Sequence, residues 1–502
     1  MKAWCFPAAV AVVAALGSML PSACRADIRL PALLSDNMVL QRNTRVTLWG
    51  TASPGEPVAV SASWGPTAHA VAGSDGGWLV RIPTTRAGGP YTITFRGDNT
   101  VTLHNVMLGE VWVCSGQSNM EFTVRPSAPF ALQDASHEIA AANWPLIRMF
   151  NVVKNTSSVP IHDCRGSWQV CSPQTVGDFS AVGYFFARSL YQRLLGAAKQ
   201  HVPIGMIHSS WGGTEIELWM SEPALQAVPG FAARIQHYQQ AQEEAKNARA
   251  TKRRAPFFRI HSTLFNAMIA PLLRYRIRGV IWYQGESNVG RGAQYAELFP
   301  AMIADWRSQW GEGAFPFYYV QIAPWIYSGN AANPSSPSVR EAQLKTLSVP
   351  HTGMAVTWDI SPDYKNIHPA DKQDVGWRLA LWAFADTYHL KGIVPSGPLF
   401  RSMKRDGDRL LLSFDHPNGG LHVDGPSLQG IQIAGADRVF HRADARVDNW
   451  QLLVWSHAVP EPVAVRYGWC DYGPLNLFNG SGLPASPFRT DSWPDPAANG
   501  KW

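Results

Sequence analysis

At 502 residues the chain is too long for one hydrophobic core, and its length suggests two to four domains. Hydrophobic residues make up 46% and charged residues only 16%, so apolar material is ample and the surface carries few charges. The net charge of +6 has no dominating run behind it, which gives no support to nucleic-acid binding.

The chain opens with Met1-Lys2, an apolar run from Ala8 to Leu20, and small residues up to Ala26. One charge, a run too short to span a bilayer and a small-residue cleavage point together describe a signal peptide over 1–26. The expected location is therefore secreted or periplasmic. Cys24 stands where a lipoprotein signal would place its cysteine, but Pro21 occupies a position that normally holds leucine, so no lipid anchor is expected. No other stretch is long and apolar enough to cross a membrane.

Residues 27–105 alternate short strands with turns every eight to twelve residues. The strands are 46–50, 58–62, 78–82 and 91–95, separated by Pro54-Gly55, Asp75-Gly76-Gly77 and Gly88-Gly89-Pro90. That rhythm predicts a β-sandwich module with Trp49 and Trp78 in its core.

Residues 106–396 change rhythm. A buried strand over 111–113 ends in Cys114-Ser115-Gly116-Gln117-Ser118. A helix over 180–195 carries Val182, Phe185, Phe186, Leu190 and Leu194 on one stripe, and a strand over 202–208 follows. Further core strands are 280–283, 317–322 and 354–358, the last followed by a loop and a helix running to Leu390. Strands alternating with helices predict an α/β fold, a parallel sheet with helices on both faces. The Gln-, Glu- and Ala-rich stretch 239–250 leads into Lys252-Arg253-Arg254, read as a solvated helix end. Residues 397–502 return to short strands such as 410–414 and 463–467 and read as a C-terminal β-rich module. If Cys5 and Cys24 leave with the signal, four cysteines remain, of which Cys164 and Cys171 are the expected disulfide. No spacing suggests a zinc site, and no metal or cofactor is called for.

Four strand ends carry unusual polar residues: Gly116-Gln117-Ser118-Asn119-Met120, Ser209-Ser210-Trp211-Gly212-Gly213-Thr214, Trp282-Tyr283-Gln284-Gly285-Glu286-Ser287-Asn288, and Asn366-Ile367-His368-Pro369. Ligands of open α/β sheets sit outside the carboxyl ends of the strands, so the four can converge on one crevice. Serine needs an imidazole to take its proton, the imidazole needs a carboxylate to orient it, and the tetrahedral oxyanion needs hydrogen-bond donors. Ser118, His368, a carboxylate, Gly213 and a side-chain amide supply those roles and point to acyl transfer to water.

In these four segments the chain resembles the sialate O-acetylesterase group of SGNH-type serine esterases. The resemblance extends to residues 34–42, to the Trp49-Gly50 to Glu56 stretch and to 264–272, and so covers nearly the whole mature chain. It implies a three-layer α/β/α hydrolase domain of the SGNH type flanked by β-sandwich-like modules. It also implies Ser118 as nucleophile, His368 as base and Gly213 as an oxyanion donor. In the general SGNH pattern the acid lies three residues before the histidine, where this chain has Lys365. Glu286 and Asp363 stand level as candidates for that role, with Asp359 behind them, and the amide donor is Gln284 or Asn288.

The implied activity is hydrolysis of O-acetyl groups from sugars, either sialic acids or hemicellulose. The 21 tryptophans suit a sugar-stacking cleft, with Trp211 and Trp282 as expected substrate-binding residues and Trp219, Trp325 and Trp358 near the same segments. A sialate carboxylate would call for an arginine fork, for which Arg148, Arg291 and Arg340 are candidates. The expected partner is an acetylated carbohydrate, with no nucleic acid and no membrane span. The rival readings are a lipid or thioester esterase of the same fold and a noncatalytic carbohydrate-binding protein.

Overall fold

The computed structural model describes Met1 and residues 27–500, apart from 129, 199–200, 232–234, 237–260, 331–332 and 449. The expected signal peptide and the Lys252-Arg253-Arg254 cluster lie outside the described residues. The alternating N-terminal sequence forms β1 (Val39–Gln41), β2 (Arg45–Thr51), β3 (Pro57–Ala62), β4 (Thr67–Val71), β5 (Gly77–Pro83), β6 (Gly88–Arg96) and β7 (Thr100–Gly116). In β5 burial alternates residue by residue, with Trp78, Val80 and Ile82 inward, because side chains of a strand point to opposite faces in turn. Trp49 and Trp78 are both buried in this core.

β7 is 17 residues long and belongs to two neighbourhoods. Its first half pairs antiparallel with β6, and Met107 to Gly109 pair in parallel with β1. Its second half joins β8 (Trp144–Asn151), β9 (Trp168–Cys171), β10 (Ile204–Ser210), β11 (Gly279–Tyr283), β12 (Phe317–Val320) and β13 (Thr352–Ala355). The order is β13-β12-β11-β7-β10-β8-β9, parallel throughout except for β9 at the edge. The boundary expected at 105/106 thus falls inside a continuous strand.

Side chains of β7 alternate between two cores. Val113 packs in one that includes Leu298, Met302 and Trp306 of the helix Gly292–Trp310. Trp112 and Cys114 pack in the other, with Val182, Phe185 and Leu190 of the helix Ala181–Ala198 and Val375 and Leu379 of the helix Lys372–Trp382. The strand expected over 354–358 stops at Ala355. Beyond it the Val356 carbonyl accepts from Arg378 Nη1 (2.7 Å) and the Thr357 hydroxyl donates to the Gln321 carbonyl (2.9 Å), so the chain turns into a loop.

The expected Cys164–Cys171 disulfide is not formed; both thiols are free and buried. Cys164 packs with Phe150 and Trp168 in one core and Cys171 with Met149 and Val176 in the other, so the sheet separates them.

The C-terminal strands Leu399–Asp406, Arg409–Asp415, Gln451–Trp455 and Asp444–Asp448 form one antiparallel sheet, and Phe440–Arg442, Ile431–Ala434, Ala464–Tyr467 and Phe488–Arg489 form another. Leu412, Ile433, Leu452 and Val465 share a core between them. Arg489 makes a two-pronged ion pair with Glu341 (2.9 Å on each prong) on the helix Pro337–Lys345, tying this region to the central sheet.

Candidate active site

Register sets the site. Gly116 at the end of β7 lies opposite Ser210 of β10 and Tyr283 of β11, so three of the four polar strand ends emerge side by side. The approach at Gly116 is so close that a Cβ there would stand 2.1 Å from the Tyr283 carbonyl oxygen, and its φ of +140° further favours glycine. Gln117 binds the neighbouring loop: its Oε1 accepts from the N–H groups of Gly285 (3.4 Å) and Ser287 (3.2 Å).

Ser118 begins a short helix, Ser118–Glu121, and is partly exposed. Its Oγ lies 2.9 Å from His368 Nε2. The edge-on ring of Phe130 packs 5.0 Å from the imidazole. Burial, with the nearby Lys372 ammonium second, holds His368 down at about 4, so the ring is neutral at pH 7 and Nε2 can accept a proton.

Beside the serine, the Gly212 N–H donates to Glu121 Oε2 (2.6 Å), and Glu121 also pairs with Lys154. A Cβ on Gly212 would lie 3.1 Å from Ser118 Cβ, which shows how tightly this loop sits on the serine segment. Gly213 follows with φ +71°, exposed, and among the described residues no protein acceptor takes its N–H.

Three expectations need correction. First, no carboxylate oxygen lies within 4 Å of a His368 ring nitrogen among the described residues. Asp363 is exposed and accepts the Lys365 N–H (2.9 Å) in its own turn, while Asp359 is held on both oxygens by Arg378 (2.7 Å each). Glu286 is buried and accepts from Asn119 Nδ2 (2.7 Å); among the described residues its other oxygen has no hydrogen-bond partner, and burial raises its pKa.

Second, the amides of Gln284 and Asn288 are consumed inside the protein. Gln284 Nε2 donates to the Thr214 carbonyl (3.2 Å) and to Asn288 Oδ1 (2.6 Å), and Asn288 Nδ2 donates to Glu217 (3.1 Å), which Arg291 also binds (2.8 Å). Both amides are fully buried and brace the glycine loop.

Third, Trp282 is fully buried, edge to face with Trp219 (6.0 Å) and Trp306 (5.7 Å), and cannot meet a substrate. Trp219 and Trp358 are buried as well. Trp211 is partly exposed beneath Lys154 Nζ (5.3 Å), and Trp325 is partly exposed with its Nε1 on the Lys365 carbonyl (3.1 Å).

The candidate arginines are also committed. Arg148 donates to the carbonyls of Pro145 (2.8 Å) and Asn37 (3.4 Å), Arg291 pairs with Glu217, and Arg340 is buried among the carbonyls of Ile322, Ala323, Cys470 and Asp471.

Two residues escaped the sequence reading. Asn119 Nδ2 reaches both Glu286 and the Ile367 carbonyl (3.1 Å), and its Oδ1 accepts from the buried Lys372 Nζ (2.7 Å). The available signal was a lysine at the first turn of an apolar helix directly after Asn-Ile-His-Pro. Among the described residues no cluster of His, Cys, Asp and Glu could hold a metal ion.

A family profile described as carbohydrate esterase, sialic acid-specific acetylesterase, matches residues 108–382. Curated relatives include a sialate O-acetylesterase of Rattus norvegicus, 31% identical over 92% of this chain and 94% of its own, and one of Homo sapiens, 30% identical over 96% and 98%. Among solved structures, a carbohydrate acetylesterase from Xanthomonas citri superposes with a TM-score of 0.81 at 38% identity, covering 93% of this chain and all of the other.

Proposed function

Starting from the fact that the chain belongs to the sialic acid-specific acetylesterase family of carbohydrate esterases and is an esterase, we propose that it removes acetyl groups from sugar hydroxyls through a serine acyl-enzyme. The observation that carries this reading is the 2.9 Å contact of Ser118 Oγ with a neutral His368 Nε2. Ser118 Oγ attacks the acetyl carbon as its proton passes to Nε2. The oxyanion is received by the Gly213 N–H and the N–H of Ser118 itself, a donor worth about 3 kcal/mol where one has been removed elsewhere. Collapse returns the proton from Nε2 to the departing sugar oxygen. Water then repeats the sequence on acetyl-Ser118 and releases acetate.

The architecture in this reading is a three-layer SGNH-type esterase unit over 106–396, with β modules over 27–105 and 397–502, exported by a leader over 1–26. Partly exposed Trp211 and Trp325 offer stacking faces to a pyranose ring. Since Arg148, Arg291 and Arg340 are all engaged elsewhere, recognition centres on the ester and the ring, not on a sialate carboxylate held by these arginines.

The test compares acetate release from O-acetylated sialic acid, acetylated xylan and an octanoyl ester by wild type, Ser118→Ala and His368→Ala. Both variants should lose about a thousandfold or more in kcat, and the octanoyl ester should be the poorest substrate. Undiminished acetate release by Ser118→Ala would overturn the serine mechanism.

A further inference from the structure

Lys372 is a fully buried lysine for which the acyl-transfer steps have no use; burial pulls its pKa down to about 7, against the pull of Glu286 and Asp371, so it is the ammonium below neutrality. Its ammonium lies 4.6 Å from the centre of the Phe122 ring and 5.5 Å from that of Tyr283, a setting that strips it of water. It keeps two hydrogen bonds, to Asn119 Oδ1 (2.7 Å) and to the Pro369 carbonyl (2.8 Å). Asn119, the residue after Ser118, turns its Nδ2 to the Ile367 carbonyl (3.1 Å) and to Glu286 Oε1 (2.7 Å). The carbonyls on either side of His368 are therefore gripped by two side chains that also grip each other, one of them adjacent to the serine. His368 N–H closes the third side on Asn366 Oδ1 (2.9 Å).

We propose that Lys372, acting through Asn119, is the positioning residue of the Ser118–His368 pair: it locks the histidine segment onto the serine segment and takes over the orienting role of the carboxylate that the imidazole lacks. Glu286 anchors the far end, because a carboxylate at Nδ2 and a cation at Oδ1 fix which way the Asn119 amide faces. The inference rests on the serine mechanism above. Among the described residues the charged groups near His368 are Lys372 and, on the far side of Asn119, Glu286. Asp371 lies beyond them, where its side chain caps the helix at the Asp374 N–H (2.9 Å). The nearest of these charges is positive, so it favours the neutral imidazole as well as holding the backbone.

The experiment uses the full chain with Lys372→Met, Lys372→Gln and Lys372→Arg. It reads kcat and KM on para-nitrophenyl acetate, the acid limb of kcat/KM, the rate of Ser118 labelling by a fluorophosphonate, and thermal melting. Lys372→Met should lower kcat and labelling about a hundredfold with KM within about threefold, since misplacing a catalytic group by an ångström costs that much. Its acid limb should move up towards the ordinary histidine value because the cation is gone. Lys372→Gln can still donate to both acceptors, so it should recover part of kcat while keeping the raised acid limb. It carries the test if the methionine variant does not fold. Lys372→Arg should keep the low acid limb. An acid limb unmoved in both neutral variants, or a kcat within about threefold of wild type in Lys372→Met, would overturn the proposal. Active Ser118→Ala would instead overturn the mechanism beneath it.

Discussion

In the proposed mechanism His368 acts as a base only while neutral, and its environment extends that range downward. Burial first, and the Lys372 ammonium second, hold its pKa at about 4. Lowering the pH protonates the imidazole, so kcat/KM should stay level from about pH 6, where Lys372 carries its charge, to about pH 5 and fall with a midpoint near 4, below the ordinary histidine value of about 6.5. A pH–rate profile with its acid limb near 6.5 would contradict this. Among the described residues the hydrogen bonds of Asp363 stay within its own turn, so Asp363→Ala should retain kcat within about threefold on the same assay.

At this scale the meeting of Ser118 with His368 was legible, because a small polar residue at the end of an apolar strand and a histidine in the fourth polar loop lie at the same edge of one sheet. The orienting carboxylate was not legible. Sequence distance ranks Asp363 and Glu286 alike, whereas side-chain direction turns one into an Asx turn and the other towards Asn119. Gln284 and Asn288 misled for a related reason: a buried amide bracing a loop and an amide aimed at substrate are the same residue type.

The strands were well marked by their apolar runs, and the helix Ala181–Ala198 by its stripe, because burial on one face imposes a period that composition records. What the elements do to each other was less visible. Glu121, at the end of the serine helix, was not singled out, yet it takes the Gly212 N–H and leaves that of Gly213 unclaimed. Glu121→Ala should free the glycine loop and lower kcat by roughly 10- to 100-fold with little change in KM. Glu121→Gln, which keeps the acceptor, should retain most of the activity. Equal loss in both variants would assign the effect to the Lys154 pair instead. Trp282 was misplaced on the same scale: the strand alternates between two covered faces, so a tryptophan in it is core whatever polar residues follow.

Across the molecule the terminal regions are fastened to the centre by buried charge. Glu110 on β7 is fully buried and meets Arg42 (2.6 Å) from the N-terminal strands and Arg278 (2.6 Å) from the segment before β11. Both arginines keep some water, so Glu110→Ala should cost about 3 kcal/mol, the lower end for breaking a buried pair, measurable by urea unfolding. At the other end Asp471 accepts from Ser328, Ser335 and Ser336, shaping the loop whose Trp325 binds the histidine segment. A chain ending at residue 396 should therefore lose acetate release even where it remains in solution. The rhythm of strands and turns carries no sign of these fastenings, since each joins residues far apart in sequence.

β7 carries one more consequence, for how such a chain can change length over evolution. Because the strand runs unbroken from the β6 hairpin to Gly116, an insertion or deletion of a single residue within 101–115 would turn Val113 and Trp112 to each other's core and shift Ser118 off the line of His368. The interior of the strand is thus closed to gain or loss, including the positions that pair only with the N-terminal strands. Length variation among functioning descendants of this chain should fall in the turns on either side and spare this strand.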